Sequence, residues 1–190
     1  HNNSQLIHNS LFGENGAIVA SAWLASKLTS FSMETITLYL PIILPSLTGI
    51  LVLLIGHLLG FSAMGLVAGL TTVSSNIFLV RTRAGYFDTD LLTLIIPLVL
   101  IYLLLRVIKT NNFKNALVAS LLLTTQTFFY NNAPLLSEVI IITFIVFTAL
   151  LRRDNLSHLG SILILLPAMI SFDLPASIRI ALIVGAYFLV

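Results

Sequence analysis

The chain has 190 residues, of which 58% are hydrophobic and only 8% are Asp, Glu, Lys or Arg, against roughly a quarter charged in ordinary soluble domains. With a mean hydropathy of +1.06, a water-soluble fold would lack the charge to cover its surface, so lipid must be the solvent for most of it. The net charge of +2 comes without a basic stripe, which excludes a nucleic-acid-binding reading. The absence of cysteine excludes a disulfide framework or a thiolate metal site.

The chain opens on HNNSQL, with neither Met nor a signal-like n-region, and closes inside the apolar run ALIVGAYFLV. Both ends read as cut, so the expectation is a piece of a longer polytopic protein. Residues 1–33 are expected to form the end of a first external loop, and residues 34–190 an incomplete transmembrane helical domain. Within the first part, Ala17 to Ser30 suggests a short helix with Ile18, Ala22, Ala25 and Leu28 on one side. Trp23 suits either an interfacial position for it or a water-exposed loop.

About seven apolar segments follow, approximately Ile36–Gly56, Phe61–Val80, Leu91–Ile108, Ala116–Tyr130, Leu135–Leu151, Leu159–Ile170 and Ile178–Val190. Their runs are continuous rather than alternating, which predicts helices and an all-α polytopic membrane fold. Ser32-Met33-Glu34 supplies a helix N-cap and a first-turn acid ahead of the first span. Pro41 and Pro45 fall within that span and are expected to kink it. His57 is expected at its cytoplasmic, interfacial end.

Alternating the spans puts Arg106, Lys109, Lys114, Arg152 and Arg153 on one side and Lys27, Arg81, Arg83 and Arg179 on the other. Setting aside Arg81 and Arg83, which have carboxylates beside them, makes the first side cytoplasmic by the positive-inside rule. The acids agree, with Glu14, Glu34, Asp88, Asp90, Glu138 and Asp173 outside and only Asp154 inside.

The ten residues Arg81 to Asp90, RTRAGYFDTD, hold four of the chain's nine Lys and Arg and seven Asp and Glu residues. They lie between two long apolar runs, at a membrane edge. Asp88 and Asp90 share a side in an extended or tight-loop backbone, and Gly85 makes a non-helical backbone easy there. Oxygen ligands of this kind suit Mg²⁺ or Mn²⁺, which take one or two carboxylates and keep positions for water or phosphate. Arg81 and Arg83 could neutralise the site or grip an anionic headgroup. On spacing alone the alternative stays open that either Asp simply caps the next helix while the arginines reach lipid phosphates.

RTRAGYFDTD before a long apolar helix resembles the second D-x-D motif of oligosaccharyltransferase catalytic subunits, the polytopic enzymes that glycosylate asparagine. FSMETITLYLPIILPSL, Phe31 to Leu47, resembles the start of the second span in the single-subunit bacterial enzymes. Phe128-Phe129-Tyr130 is similar to the aromatic-aromatic-Tyr that ends their fifth span. The order and spacing of these pieces hold over essentially the whole chain.

The resemblance implies a GT-C-like glycosyltransferase transmembrane core, truncated at both ends, in a bacterial inner membrane with the active site facing the periplasm. It implies metal-dependent transfer of a whole oligosaccharide from a polyprenyl diphosphate carrier to the amide of Asn in Asn-x-Ser/Thr, with Mn²⁺ or Mg²⁺ as cofactor. Membrane lipid is a further partner. By that analogy Asp88 and Asp90 are metal ligands, Arg81 supports the acidic site or the donor phosphates, and Tyr130 lies near the donor diphosphate. Asn131-Asn132 stand where relatives commonly have Pro-Ser. The first-loop acidic motif, a later external-loop Glu and the tryptophan-rich motif of a soluble C-terminal domain are expected outside this chain, which is then inactive alone.

Other readings remain. Another polyprenyl-phosphate-dependent glycosyltransferase would also keep acids in its external loops. A transporter would more often bury them near the midplane and show repeat symmetry, neither of which is visible. Glu14, in FGENG, lacks the context of the missing ligand. Glu138 could be a functional acid but more often such a residue meets water. The sequons Asn2-Asn3-Ser4 and Asn155-Leu156-Ser157 are formal matches, the second on the expected cytoplasmic side.

Overall fold

The computed structural model describes residues 16–82, 84, 92, 94–129, 134–151, 156–170 and 174–190. Among them are nine helices and no strand, in agreement with an all-α fold. The chain divides into two compact units, His1–Ile95 with Phe128–Asn132 and Ile96–Thr127 with Ala133–Val190.

The first unit contains α1 (Gly16–Leu28), α2 (Met33–Leu58), α3 (Ser62–Ser74) and α4 (Asn76–Arg81). α1 is the short helix expected before the first span. Val19 and Ala22 are buried, whereas Leu28 is 78% exposed. The helix start of α2 is as the sequence suggests. Ser32 is the N-cap, its side chain accepts from the Thr35 N–H at 3.2 Å, and Glu34 lies in the first turn. α2 continues through Pro41 and Pro45, both of them buried. At 26 residues it is the one helix among the described residues long and apolar enough to cross a membrane, and only 17% of its most apolar window is buried.

α2 ends in a turn built on Gly60, whose φ is +89°. The Phe61 N–H bonds to the Gly56 carbonyl and the Gly60 N–H to that of His57, which satisfies two carbonyls of the last turn. Only glycine enters that backbone region without strain. The chain then doubles back, and α2 and α3 meet along a seam of small residues. A Cβ on Gly56 would lie 2.5 Å from the Gly65 Cα, and one on Gly69 would lie 2.6 Å from the Gly49 carbonyl oxygen. Such close backbone approach is how helices associate when lipid removes the hydrophobic drive between them.

The apolar run Phe61–Val80 does not form one helix. Ser75 is extended, with φ −66° and ψ 140°, and separates α3 from α4. Its hydroxyl donates to the Thr72 carbonyl and accepts from the Phe78 N–H. Thr71 and Thr72 likewise donate to the carbonyls of Val67 and Ala68. These hydroxyls compete for backbone groups, which is the physical reason that the polar stretch TTVSSN interrupts the span.

The second unit contains α5 (Ile95–Thr110, its first residue lying in the first unit), α6 (Phe113–Phe129, its last two residues lying in the first unit), α7 (Pro134–Leu151), α8 (Leu156–Ile170) and α9 (Ala176–Leu189). Pro97 sits in the first turn of α5 and Pro134 opens α7, positions where a missing N–H matters least. Leu100, Leu103, Leu104 and Val107 bury one stripe of α5. α5 turns into α6 at Asn111, which adopts φ 52°, and the Asn112 side chain accepts from the Lys114 N–H at 2.9 Å. Ser120 of α6 donates to the Ile164 carbonyl of α8 at 2.7 Å. Ile141, Ile164, Leu165 and Ile183 complete the buried core. The described part of α7 and α8, together with α3 and α9, gives apolar helices shorter than a full upright span.

Candidate functional site

The acidic junction is approached through α4. Arg81 is the last residue of that helix, and Thr82 closes it, its N–H and its hydroxyl both donating to the Phe78 carbonyl at 3.0 and 2.8 Å. Asp88, Asp90 and Arg83 lie outside the described residues, as do Glu14, Tyr130, Asn131 and Asn132. The chain is described again at Leu92, which packs with Met33 against Val19 of α1. The segment that follows the two carboxylates in sequence is thus anchored beside α1 and the start of α2, in the same unit as Arg81. Phe128 and Phe129 at the end of α6, next to Tyr130 in sequence, also belong to that unit.

In the same unit α1 and the first half of α2 line an open cavity of about 400 Å³, with Ala25, Thr29, Phe31, Ile36, Tyr39 and Ile43 among its walls. No charged side chain lines it, so its walls suit hydrocarbon rather than chemistry. On α1, the Lys27 ammonium lies 5.8 Å from the Trp23 ring centre, and Trp23 is half exposed. The pair is a cation–π contact within one turn of the helix.

Among the described residues no group of three or more His, Asp or Glu could hold a metal ion. Glu138 is the fifth residue of α7 and is half buried. His57 is exposed at the end of α2, with Nδ1 2.9 Å from the Ser62 hydroxyl across the Gly60 turn.

The structure adds a residue that the sequence treated only as a marker of orientation. Arg179 of α9 is 5% exposed, and its Nε and Nη1 have no hydrogen-bond partner among the described residues. The available signal was a lone cation inside the apolar run ASIRIALIV.

The described residues are all-helical around an apolar span left largely unburied, the features of a helical membrane protein. The family model described as "Oligosaccharyl transferase STT3, N-terminal" matches residues 16–188, and the chain belongs to that family. It is similar to two curated proteins, each named "Undecaprenyl-diphosphooligosaccharide--protein glycotransferase", from Campylobacter jejuni subsp. jejuni serotype O:2 and from Campylobacter jejuni strain RM1221. Each is 30% identical over 138 residues, which cover 72% of this chain. The matched region is 19% of the length of those relatives.

Proposed function

We propose that this chain is the multi-pass transmembrane part of an enzyme that transfers an oligosaccharide from a polyprenyl diphosphate to the amide of Asn in Asn-x-Ser/Thr. The observation that carries this reading is RTRAGYFDTD, following directly on α4 inside a family match of residues 16–188. The enzyme lies in a bacterial inner membrane, with this junction facing the periplasm. Residues 1–33 close a first external loop, and residues outside this chain supply the remaining acids and a soluble domain.

Asp88 and Asp90 hold a Mn²⁺ or Mg²⁺ ion. When bound, such an ion is a Lewis acid that stabilises the charge left on a departing diphosphate. The carboxylates beside the acceptor amide weaken its conjugation and so raise the nucleophilicity of a poor nucleophile. In the transfer a bond forms between the amide nitrogen and the first sugar carbon as the bond from that carbon to the diphosphate oxygen breaks; the diphosphate leaves with the electron pair and the amide nitrogen gives up one of its two protons. Arg81 holds the acidic loop or the donor phosphates, and Tyr130 contacts the diphosphate, with Asn131-Asn132 altering its surroundings.

In the full-length enzyme Asp88→Ala is expected to abolish glycan transfer to a sequon peptide under saturating Mn²⁺, while Glu138→Ala keeps most of it. Undiminished transfer by the Asp88 variant would refute the role assigned to that carboxylate.

A further inference from the structure

α4 is a weakly supported helix. It has six residues, well below the length at which a helix holds its shape by itself. Leu79 and Val80 are each 55% exposed, and among the described helices α4 packs closely on α3 alone. α3 is fixed differently. Its seam with α2 runs from Gly65, opposite Gly56, to Val73, whose Cγ1 would lie 3.0 Å from a Cβ on Gly49. Two residues beyond Val73 the chain breaks. Ser75 is therefore the joint between a helix locked by close backbone contact and one locked by little else.

The joint is built on one hydroxyl. In an unbroken helix the Asn76 N–H would bond to the Thr72 carbonyl and the Phe78 N–H to that of Ser74. At the break the Ser75 hydroxyl takes their place, donating to the Thr72 carbonyl at 3.0 Å and accepting from the Phe78 N–H at 3.4 Å. Ser75 thus ends α3 and caps α4. Neither glycine nor proline stands between Thr71 and Arg81, so no obligate helix breaker shares the task.

The far end of α4 is Arg81, the first residue of RTRAGYFDTD. A helix of this length is about 9 Å long, so a change of about 20° at Ser75 displaces its end by about 3 Å. Misplacing reacting groups by about 1 Å can cost about a hundred-fold in rate. The direction of α4 therefore decides where the chain enters the acidic segment.

We infer that Ser75 is a positioning residue for the acidic junction. Its two hydrogen bonds hold α4 at a fixed angle to α3, and so fix the point from which the segment bearing Asp88 and Asp90 departs. The effect on transfer rests on the proposed transferase reading, and the effect on the bend does not. Alanine at position 75 removes both bonds and is the residue most favourable inside a helix, so α3 and α4 merge into one. Threonine keeps a hydroxyl that can donate and accept, and keeps the bend.

The test uses the full-length protein. A cryo-EM map reads the angle at residue 75, a Mn²⁺ titration followed by EPR reads metal binding, and transfer to a sequon peptide reads the reaction. Ser75→Ala is expected to straighten the helix, weaken Mn²⁺ binding about five-fold and lower kcat about ten-fold, with the peptide KM changed less than about two-fold. Ser75→Thr is expected to restore the bend, the metal affinity and kcat together. Ser75→Gly removes the hydroxyl without favouring an unbroken helix. It is expected to weaken Mn²⁺ binding and kcat about three-fold each, and it carries the test should Ser75→Ala not fold. If Ser75→Ala binds Mn²⁺ more weakly than the wild type while neither transfers glycan, the positioning role stands and the transferase reading fails. A bend kept by Ser75→Ala, a straightened helix with wild-type Mn²⁺ affinity and kcat, or a wild type that binds no Mn²⁺ would overturn the inference.

Discussion

Ser32 and Arg179 mark the two extremes of what single residues disclose. A cap is a local device: Ser32 bonds an amide three positions on, so the letters Ser-Met-Glu before an apolar run are enough to find it. Replacing Ser32 with Ala is expected to cost about 1 kcal/mol of stability, as for caps in general, read as a small fall in the Tm of the detergent-solubilised protein. A Tm unchanged or raised would mean that the bond to Thr35 adds nothing. Arg179 could not be read in this way, because burial is decided by residues far along the chain. The same limit applies within α1, where Ala22 is buried and Leu28, on the same side by periodicity, is 78% exposed. The carboxylates were legible as a motif by their letters alone, since D-x-D between apolar runs needs no knowledge of packing.

Among elements, the seven apolar segments of the sequence correspond to observed helices with shifts of a few residues at their ends, except where α3 and α4 part at Ser75. Hydropathy averages over a window and does not register one extended residue flanked by hydroxyls. The α2–α3 seam was also beyond it, because glycine is neutral to hydropathy, and what matters is the spacing Gly49, Gly56, Gly65, Gly69. Gly56→Leu and Gly69→Leu are each expected to prevent the two helices from closing, since the added Cβ would meet backbone at 2.5 and 2.6 Å. The readout is the yield of monodisperse protein on size exclusion. Gly185→Ala is the control: nothing lies within 4 Å of its added Cβ, and alanine in a helix interior should stabilise by about 0.5–1 kcal/mol. Normal yield from the Gly56 and Gly69 variants would show that the seam is looser than its geometry.

At the scale of the whole molecule the fold class followed from composition, while orientation rested on a small excess of basic residues. The absence of cysteine makes orientation simple to measure. Thr29→Cys, before α2, is expected to react with a membrane-impermeant maleimide in intact spheroplasts. Asn112→Cys, in the turn between α5 and α6, is expected to react only after permeabilisation. The reverse pattern would invert the topology and place the Arg81–Asp90 junction on the cytoplasmic side. The close seam between α2 and α3 has a further consequence for how this chain can change. At Gly56, Gly65 and Gly69 the neighbouring backbone leaves no volume for a side chain, whereas other apolar positions on the same helices, such as Leu54 and Val67, stand exposed. A scan of every single substitution should therefore trace a narrow line of intolerance, recurring every four or seven residues, through a field of freely exchangeable apolar letters. That line would persist in an enzyme stripped of its carboxylates, because it records the distance between two backbones and not the reaction.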